Sequence, residues 1–282
     1  MRRLRRLALV ATGAVIVTGL WSFWWEPASL VVREETLSLP WPATTGPRIA
    51  VLTDLHVGSP FNHLDRLRDV VSRTNAAGPD VICILGDLVT QGVQGGTFVP
   101  PEDIAAVLAG LKAPAGVFAV LGNHDGWFDH DRVERALVNN HIRIVEDTAV
   151  RIGGGSTAWW LAGVSDLWTG RHDIAAALRA ATEDGRPVIL MTHNPDLFPQ
   201  VPARVALTLA GHTHGGQVWL PLIGRPIVPS AFGQRFAAGH IVEDGRHLYV
   251  ATGVGTSIIP VRLGVRPAVP VIRIVPLDNA SR

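Results

Sequence analysis

The sequence predicts an α/β fold, a four-layer α/β/β/α sandwich of two mixed sheets, preceded by a transmembrane helix. Three observations carry this. Short apolar runs alternate with amphipathic stretches through the first half, the pattern of a parallel sheet with helical crossovers. The second half is richer in strand signals, so a second sheet packs on the first. Polar, chemistry-bearing residues directly follow the apolar runs, where ligands of open α/β sheets sit.

The amino terminus differs from the rest. Residues 1–6 form a basic end with Arg2, Arg3, Arg5 and Arg6, and Leu7 to Trp25 is uncharged for 19 residues. As a helix that stretch is ~28 Å long, enough to cross the hydrocarbon core. Trp21, Trp24 and Trp25 fall where an interfacial aromatic belt belongs. The basic flank keeps the short end cytoplasmic and places the rest outside the cell membrane, as a single-pass protein. The segment lacks a convincing A-x-A site, so an uncleaved signal anchor is favoured over a cleaved signal peptide. The paired arginines also allow a loose match to a twin-arginine export signal. Residues 26–47 are a proline-containing linker, and Glu34 to Leu39 alternates enough for an edge strand.

The folded domain is expected over 48–282. Strands are predicted at 48–53, 81–85 and 116–121, with helices at 63–75, 101–111 and 131–139 between and after them. Further strands are predicted at 142–145, 149–152, 159–164, 187–192, 205–210, 240–242, 247–251 and 269–275, with one more helix at 173–181. There is no internal repeat. Net charge is +1, from 25 Lys+Arg against 24 Asp+Glu, which gives no footprint for nucleic acid. The one cysteine, Cys83, lies inside Val81-Ile82-Cys83-Ile84-Leu85 and reads as core packing.

Asp54-Leu55-His56, Gly86-Asp87, Gly122-Asn123-His124-Asp125, His193 and Gly211-His212-Thr213-His214-Gly215-Gly216 leave the strand ends. The two histidines of His-x-His point to the same side of an extended chain. Asp54, His56, Asp87, Asn123, His193, His212 and His214 supply two carboxylates, one amide and four imidazoles, with no thiolate. Such a mixed set suits Mn, Zn or Fe, and seven ligands exceed what one ion needs. Two divalent metal ions about 3.5–4 Å apart would use them. His63, His130, His141, His172, His240 and His247 lack such a setting and are assigned to surface or packing.

This ordered set resembles the calcineurin-like metallophosphoesterases, most of all their single-span bacterial branch. The resemblance implies that Asp87 bridges the two ions. One ion would also take Asp54, His56 and His214, the other Asn123, His193 and His212. It implies attack by a metal-activated water on a phosphodiester or pyrophosphate, with His124 acting on the leaving group and Asp125 orienting its ring. It also implies a cell-envelope or lipid-linked substrate. Many members read Gly-Asp-x-x-Asp where this chain has Gly86-Asp87-Leu88-Val89-Thr90, which touches only a supporting contact. Arg262 is a candidate for gripping a phosphate oxygen, against a solvated surface arginine. Asp166 and Asp196 are candidates for orienting ligand histidines. Leu220 to Phe232 forms an apolar lip that would touch lipid or a lipid-linked substrate. Two other readings share these residues: a phosphomonoesterase or protein phosphatase, and a non-catalytic metal-dependent binding protein.

Overall fold

The structure is a computed structural model that describes residues 2–42, 45–182 and 184–277. One helix runs from Arg2 to Ala28, built of α1 (Arg2–Leu20), a π-helical turn (Trp21–Trp25) and α2 (Glu26–Ala28). It is long and apolar enough to cross a membrane, and most of it is exposed. Its last turn is fixed to the body of the protein. The Ser22 carbonyl accepts from Arg262 N at 2.9 Å, and Glu26 Oε1 accepts from Val265 N at 2.7 Å.

The 26–47 segment contains β1 (Val31–Leu39), a nine-residue edge strand of the first sheet. The sheet continues with β2 (Arg48–Leu52), β3 (Val81–Ile84), β4 (Val117–Ala119) and β5 (Arg143–Ile144), all parallel in that order. The last strand, β12 (Ala268–Pro276), lies between β1 and β2, parallel to the first and antiparallel to the second. The second sheet holds β6 (Thr148–Ile152), β7 (Trp159–Gly163), β8 (Val188–Met191), β9 (Val205–Ala210), β10 (Gly239–Glu243) and β11 (Arg246–Val250). Its order is β10-β11-β9-β8-β7-β6, parallel in the middle and antiparallel at both edges.

The strand sequences explain the layering. Central strands are apolar at nearly every position, as in Val81-Ile82-Cys83-Ile84 and Val188-Ile189-Leu190-Met191, because both faces are covered. Ala50, Leu52, Ile82 and Ile84 pack on α3 (Leu64–Ala76), α4 (Pro101–Leu108) and α5 (Asn123–Asn139) through Leu67, Ile104 and Val133. The alternate residues Ile49, Val51, Val81 and Cys83 meet Ile189, Met191, Leu207 and Leu209 of the second sheet. Leu190, Leu248 and Val250 then face α6 (Ile174–Leu178) and the 3₁₀ turns at 195–200 and 233–236. The result is the helix, sheet, sheet, helix order expected. Cys83 is buried between the sheets.

Three helices differ in extent from the expectation, and α4 stops at Leu108, three residues early. α6 stops at Leu178 and passes into a 3₁₀ turn. α5 begins eight residues before Asp131, at Asn123, and breaks at Asp129, whose φ and ψ are −174° and 90°. Its early start has a local cause: the Asp125 carboxylate accepts from Gly122 N at 3.0 Å, capping the first turn.

His130, just past the break, ties α5 to the second half of the chain. Its Nε2 lies 3.0 Å from Glu146 Oε2, while Glu146 Oε1 accepts from Leu121 N. The hydrogen bond to Glu146 raises the His130 pKa to about 9. A raised histidine stabilises the fold fully below its unfolded pKa of about 6.5 and loses that contribution as pH rises through the folded value. The stability difference between wild type and H130A should therefore be largest at pH 6 and vanish by pH 10 in thermal melts. It should stay below about 1 kcal/mol because the pair is partly solvated.

Candidate metal centre

Every predicted ligand lies just past the carboxyl end of a parallel strand. Asp54 and His56 follow β2, Asp87 follows β3, Asn123 opens α5 after β4, His193 follows β8, and His212 and His214 follow β9. The two sheets thus bring their carboxyl edges to one place. Five of the seven sit at positive φ: Asp54 at 50°, His56 at 38°, Asp87 at 54°, His212 at 68° and His214 at 52°. Left-handed backbone is uncommon outside glycine and gathers at functional sites. Here it turns each side chain inward at once on leaving its strand. Gly86 has φ 86°, and a Cβ there would lie 2.2 Å from Gly122 N, so only glycine lets the two loops touch.

The side chains form two groups. His214 Nε2 lies 3.3 Å from Asp54 Oδ1 and 3.2 Å from His56 Nε2. His193 Nε2 lies 3.2 Å from Asp87 Oδ2 and 3.2 Å from His212 Nδ1. Asp87 Oδ2 is also 3.6 Å from His56 Nε2, so one carboxylate oxygen faces both groups. Backbone carbonyls set the tautomers. His56 Nδ1 faces Val89 O at 3.2 Å and His193 Nδ1 faces Leu85 O at 2.6 Å, leaving each Nε2 lone pair aimed at the cluster.

The charges of this set need a cation. All seven residues are buried. Burial and the neighbouring Asp87 charge raise the Asp54 pKa to about 7, against the pull of His193. Burial opposes ionisation of Asp87 too, but the neighbouring His193 charge and hydrogen bond override it and hold Asp87 well below the usual range. Burial likewise disfavours charge on His193, yet Asp87 raises it to about 10. Burial lowers His56 to about 4 and His212 to about 3. One imidazolium is thus made to answer two carboxylates, a task a divalent cation does better. The oxygen of Asn123 is buried without a hydrogen-bond partner, as expected of an atom that would ligate a cation. The donor set and this orphaned atom fit metal ions.

Residues 47–216 match the family model described as calcineurin-like phosphoesterase. The chain belongs to this family. It is a metallophosphoesterase, a hydrolase of phosphoester bonds, in a family that uses divalent metals. Phosphodiesterase YaeI of Escherichia coli K12 is 30% identical over 278 residues, covering 96% of this chain and 99% of that protein. The metallophosphoesterase YkuE of Bacillus subtilis 168 is 28% identical over 93% of this chain and 92% of its own. A zebrafish transmembrane protein with a metallophosphoesterase domain is 31% identical over 92% of this chain, which spans 60% of that longer protein.

Around the phosphoesterase centre, several supporting residues occupy places the sequence did not reveal. Asp125 does not touch the His124 ring. Its oxygens accept from Leu88 N at 2.9 Å, Val89 N at 3.2 Å and Gly122 N, fixing the Asp87 loop to the start of α5. The His124 Nδ1 is buried without a partner, and its ring stands edge-on to His56 at 4.8 Å. Arg262 is neither a phosphate grip nor a solvated arginine. It is fully buried, and its guanidinium donates to the carbonyls of Val265 at 3.1 Å, Thr252 at 2.9 Å, Gly253 at 3.3 Å and Gly255 at 2.5 Å. Gly255 N in turn donates to Asp54 O at 2.7 Å. Arg262 is therefore a brace beneath the Asp54 loop.

Asp166 holds a turn rather than a histidine. Its Oδ2 accepts from Trp168 N, Thr169 N and Thr169 Oγ1. Asp196 accepts from Ser230 Oγ and Ala231 N, pinning the end of the apolar lip. Thr90, at the family's departing position, is buried with an unpartnered hydroxyl. Two residues had no mark in the sequence beyond their spacing. Trp127 lies against His124 at 5.1 Å, Trp168 against His212 at 4.6 Å, and the two indoles stack at 5.9 Å beside the metal centre. Trp127 follows His124 by three residues on α5, the spacing that puts both on one face.

Two outcomes follow from this geometry. R262M should lose ~3–5 kcal/mol in chemical denaturation, because four carbonyls lose a buried cation. A residue that merely gripped phosphate would instead raise KM with stability unchanged. In the second test, adding Mn to chelator-stripped protein should raise the melting temperature. The gain should approach ~3 kcal/mol at a hundredfold excess over Kd and be lost in D87A.

Proposed function

We propose that the centre binds two divalent cations and hydrolyses a phosphodiester or pyrophosphate of a lipid-linked or cell-envelope substrate. The observation that carries it is the position of Asp87, one oxygen of which faces both histidine groups. Asp54, His56 and His214 would hold one cation, and Asn123, His193 and His212 the other, with Asp87 shared. When bound, such ions lower the pKa of water towards ~7 and offset charge building on the phosphoryl oxygens. The chain's own contribution is positional. The carbonyls of Val89 and Leu85 keep His56 and His193 in the ligating tautomer. The Asp87 loop is held by Asp125, and the Asp54 loop by Arg262.

His124 supplies the proton for the leaving oxygen. Burial lowers its pKa in the free site, against the pull of Asp87. An anionic phosphoryl group beside the ring favours the imidazolium, so the histidine becomes an acid where one is needed. The stacked pair Trp127 and Trp168 walls this side of the site. The amino-terminal helix would anchor the domain in the cell membrane, on the extracytoplasmic side, given its basic leading end.

The test is hydrolysis by the metal-loaded full chain. A diester such as bis-p-nitrophenyl phosphate should turn over faster than the monoester, and the reverse ranking would favour a phosphomonoesterase. H124Q should retain two metal ions per chain by elemental analysis and lose ~10²–10⁴ in kcat on an alkyl diester. The loss should be much smaller with a p-nitrophenolate leaving group, which needs no proton. Equal losses on both substrates would remove His124 from that role.

A further inference from the structure

Where the helix leaves the domain, the chain has no spacer. An apolar length of about 20 residues spans the hydrocarbon core, so the core boundary falls at the indoles of Trp21 to Trp25. In the same turn, the Ser22 carbonyl accepts directly from Arg262 N. Trp21 and Trp25 pack at 4.1 Å, and the Arg266 guanidinium sits over the Trp25 ring at 5.7 Å. Whatever surrounds residues 262–266 is therefore held at the edge of whatever the helix enters.

What surrounds them is apolar and exposed. Ile258 and Ile259 precede the contact segment, with 71% and 46% of their surface exposed. The lip is joined to the same segment, since Trp219 N donates to Leu263 O at 2.7 Å. Gln217 binds the carbonyls of Ser257 and Ile259, which locks the two loops together. At the lip's tip, Leu220 pairs with Gly224, and Leu222 between them is fully exposed. Ile223 and Ile227 beside it are 63% and 79% exposed.

The backbone adds an independent sign. Leu222 has φ 69° and Ile258 has φ 59°. A bulky or β-branched residue in the left-handed region is an outlier, because glycine or asparagine holds that turn at lower cost. Both strained positions carry a large apolar side chain outward. A loop facing water gains nothing from that arrangement, whereas a loop entering lipid gains ~1.5–3 kcal/mol for each such side chain buried.

We propose that the 219–228 lip and the 257–259 turn insert into the outer leaflet of the bilayer the helix spans, so that the metal centre opens at the membrane surface. The occupant of this apolar face is lipid, because the face is continuous with the helix exit. Both loops start at the site: Gln217 follows the ligand His214 by three residues, and Ser257 follows Gly255, which lies beneath Asp54. A phosphate at headgroup level thus meets the centre without leaving the leaflet. The proposal rests on the helix being a membrane anchor and is independent of turnover.

Cys83 is buried and its thiol is pushed up by burial, so an introduced surface cysteine can be labelled alone. Full-length L222C, I258C and, as control, V242C would carry an environment-sensitive fluorophore and be reconstituted in phosphatidylethanolamine–phosphatidylglycerol vesicles. Val242 is 54% exposed on β10, the outermost strand of the second sheet. Emission at 222 and 258 should shift to the blue and be quenched at least twofold by lipids brominated on the acyl chain, with neither change at 242. Water-like emission at 222 and 258 would overturn the proposal. So would a blue shift that ignores brominated lipid and grows with protein density, since protein would then cover the face. The double variant L222D/I258D should lose at least tenfold in turnover of a lipid-borne diester in vesicles and keep its rate on soluble bis-p-nitrophenyl phosphate. Equal rates on both, or loss of both, would count against it.

Discussion

The structure depends on enclosing Asp54 and Asp87 together with four imidazoles, almost out of reach of solvent. Two carboxylates in one dry pocket repel, and neither has an arginine or lysine paired with it among the described residues. Hydrogen bonds soften this. Asp54 accepts from Thr53 Oγ1 and from His212 N, and Asp87 from His124 N. The positive φ of five of the clustered residues adds backbone strain of the order of 1–3 kcal/mol each by general experience. A sandwich with a large double-sided core can hold such a frustrated centre, and cations convert the frustration into affinity.

Arg262 shows how far that support reaches. Its main chain receives the helix through Ser22, and its side chain gathers the carbonyls of the 252–255 loop. That loop backs the Asp54 segment, where Gly253 at φ 68° leaves no room for a Cβ, which would lie 2.5 Å from Asp54 Cβ. A single residue therefore links the helix exit to Asp54 of the clustered site through two shells of backbone. Its cationic head, cut off from water, is lowered to about 10 by burial. It remains charged at neutral pH, so the brace holds throughout the physiological range.

The clustering of the seven side chains was legible because a strand end is visible in sequence. An apolar run followed at once by Asp-x-His, Gly-Asp or His-x-His fixes both where a side chain emerges and what it offers. The layering was legible too, since strands buried on both faces read as unbroken apolar runs. Partners distant along the chain were not. β1 pairs with β12 across more than two hundred residues, and no local pattern records that register. Asp125 follows His124 in sequence, yet on a helix neighbours point apart, and its carboxylate turns to backbone amides instead. Arg262 carries a charge, and composition gives no hint that four carbonyls would draw it inside. The indoles of Trp127 on α5 and Trp168 on a distant loop meet only in three dimensions.

The place of β12 has a consequence for how the molecule comes into being. This strand lies between β1 and β2, yet among the described residues it comes last in chain order, more than two hundred residues after its partners. Until it arrives, β1 has no neighbour on either side, and the helix is attached to a ribbon rather than to a sheet. A chain emerging tail-last from a ribosome or a translocation channel must therefore keep that slot open until its final strand slides in. Docking of the helix exit on residues 262–265 and completion of the first sheet therefore both wait on the same stretch of chain.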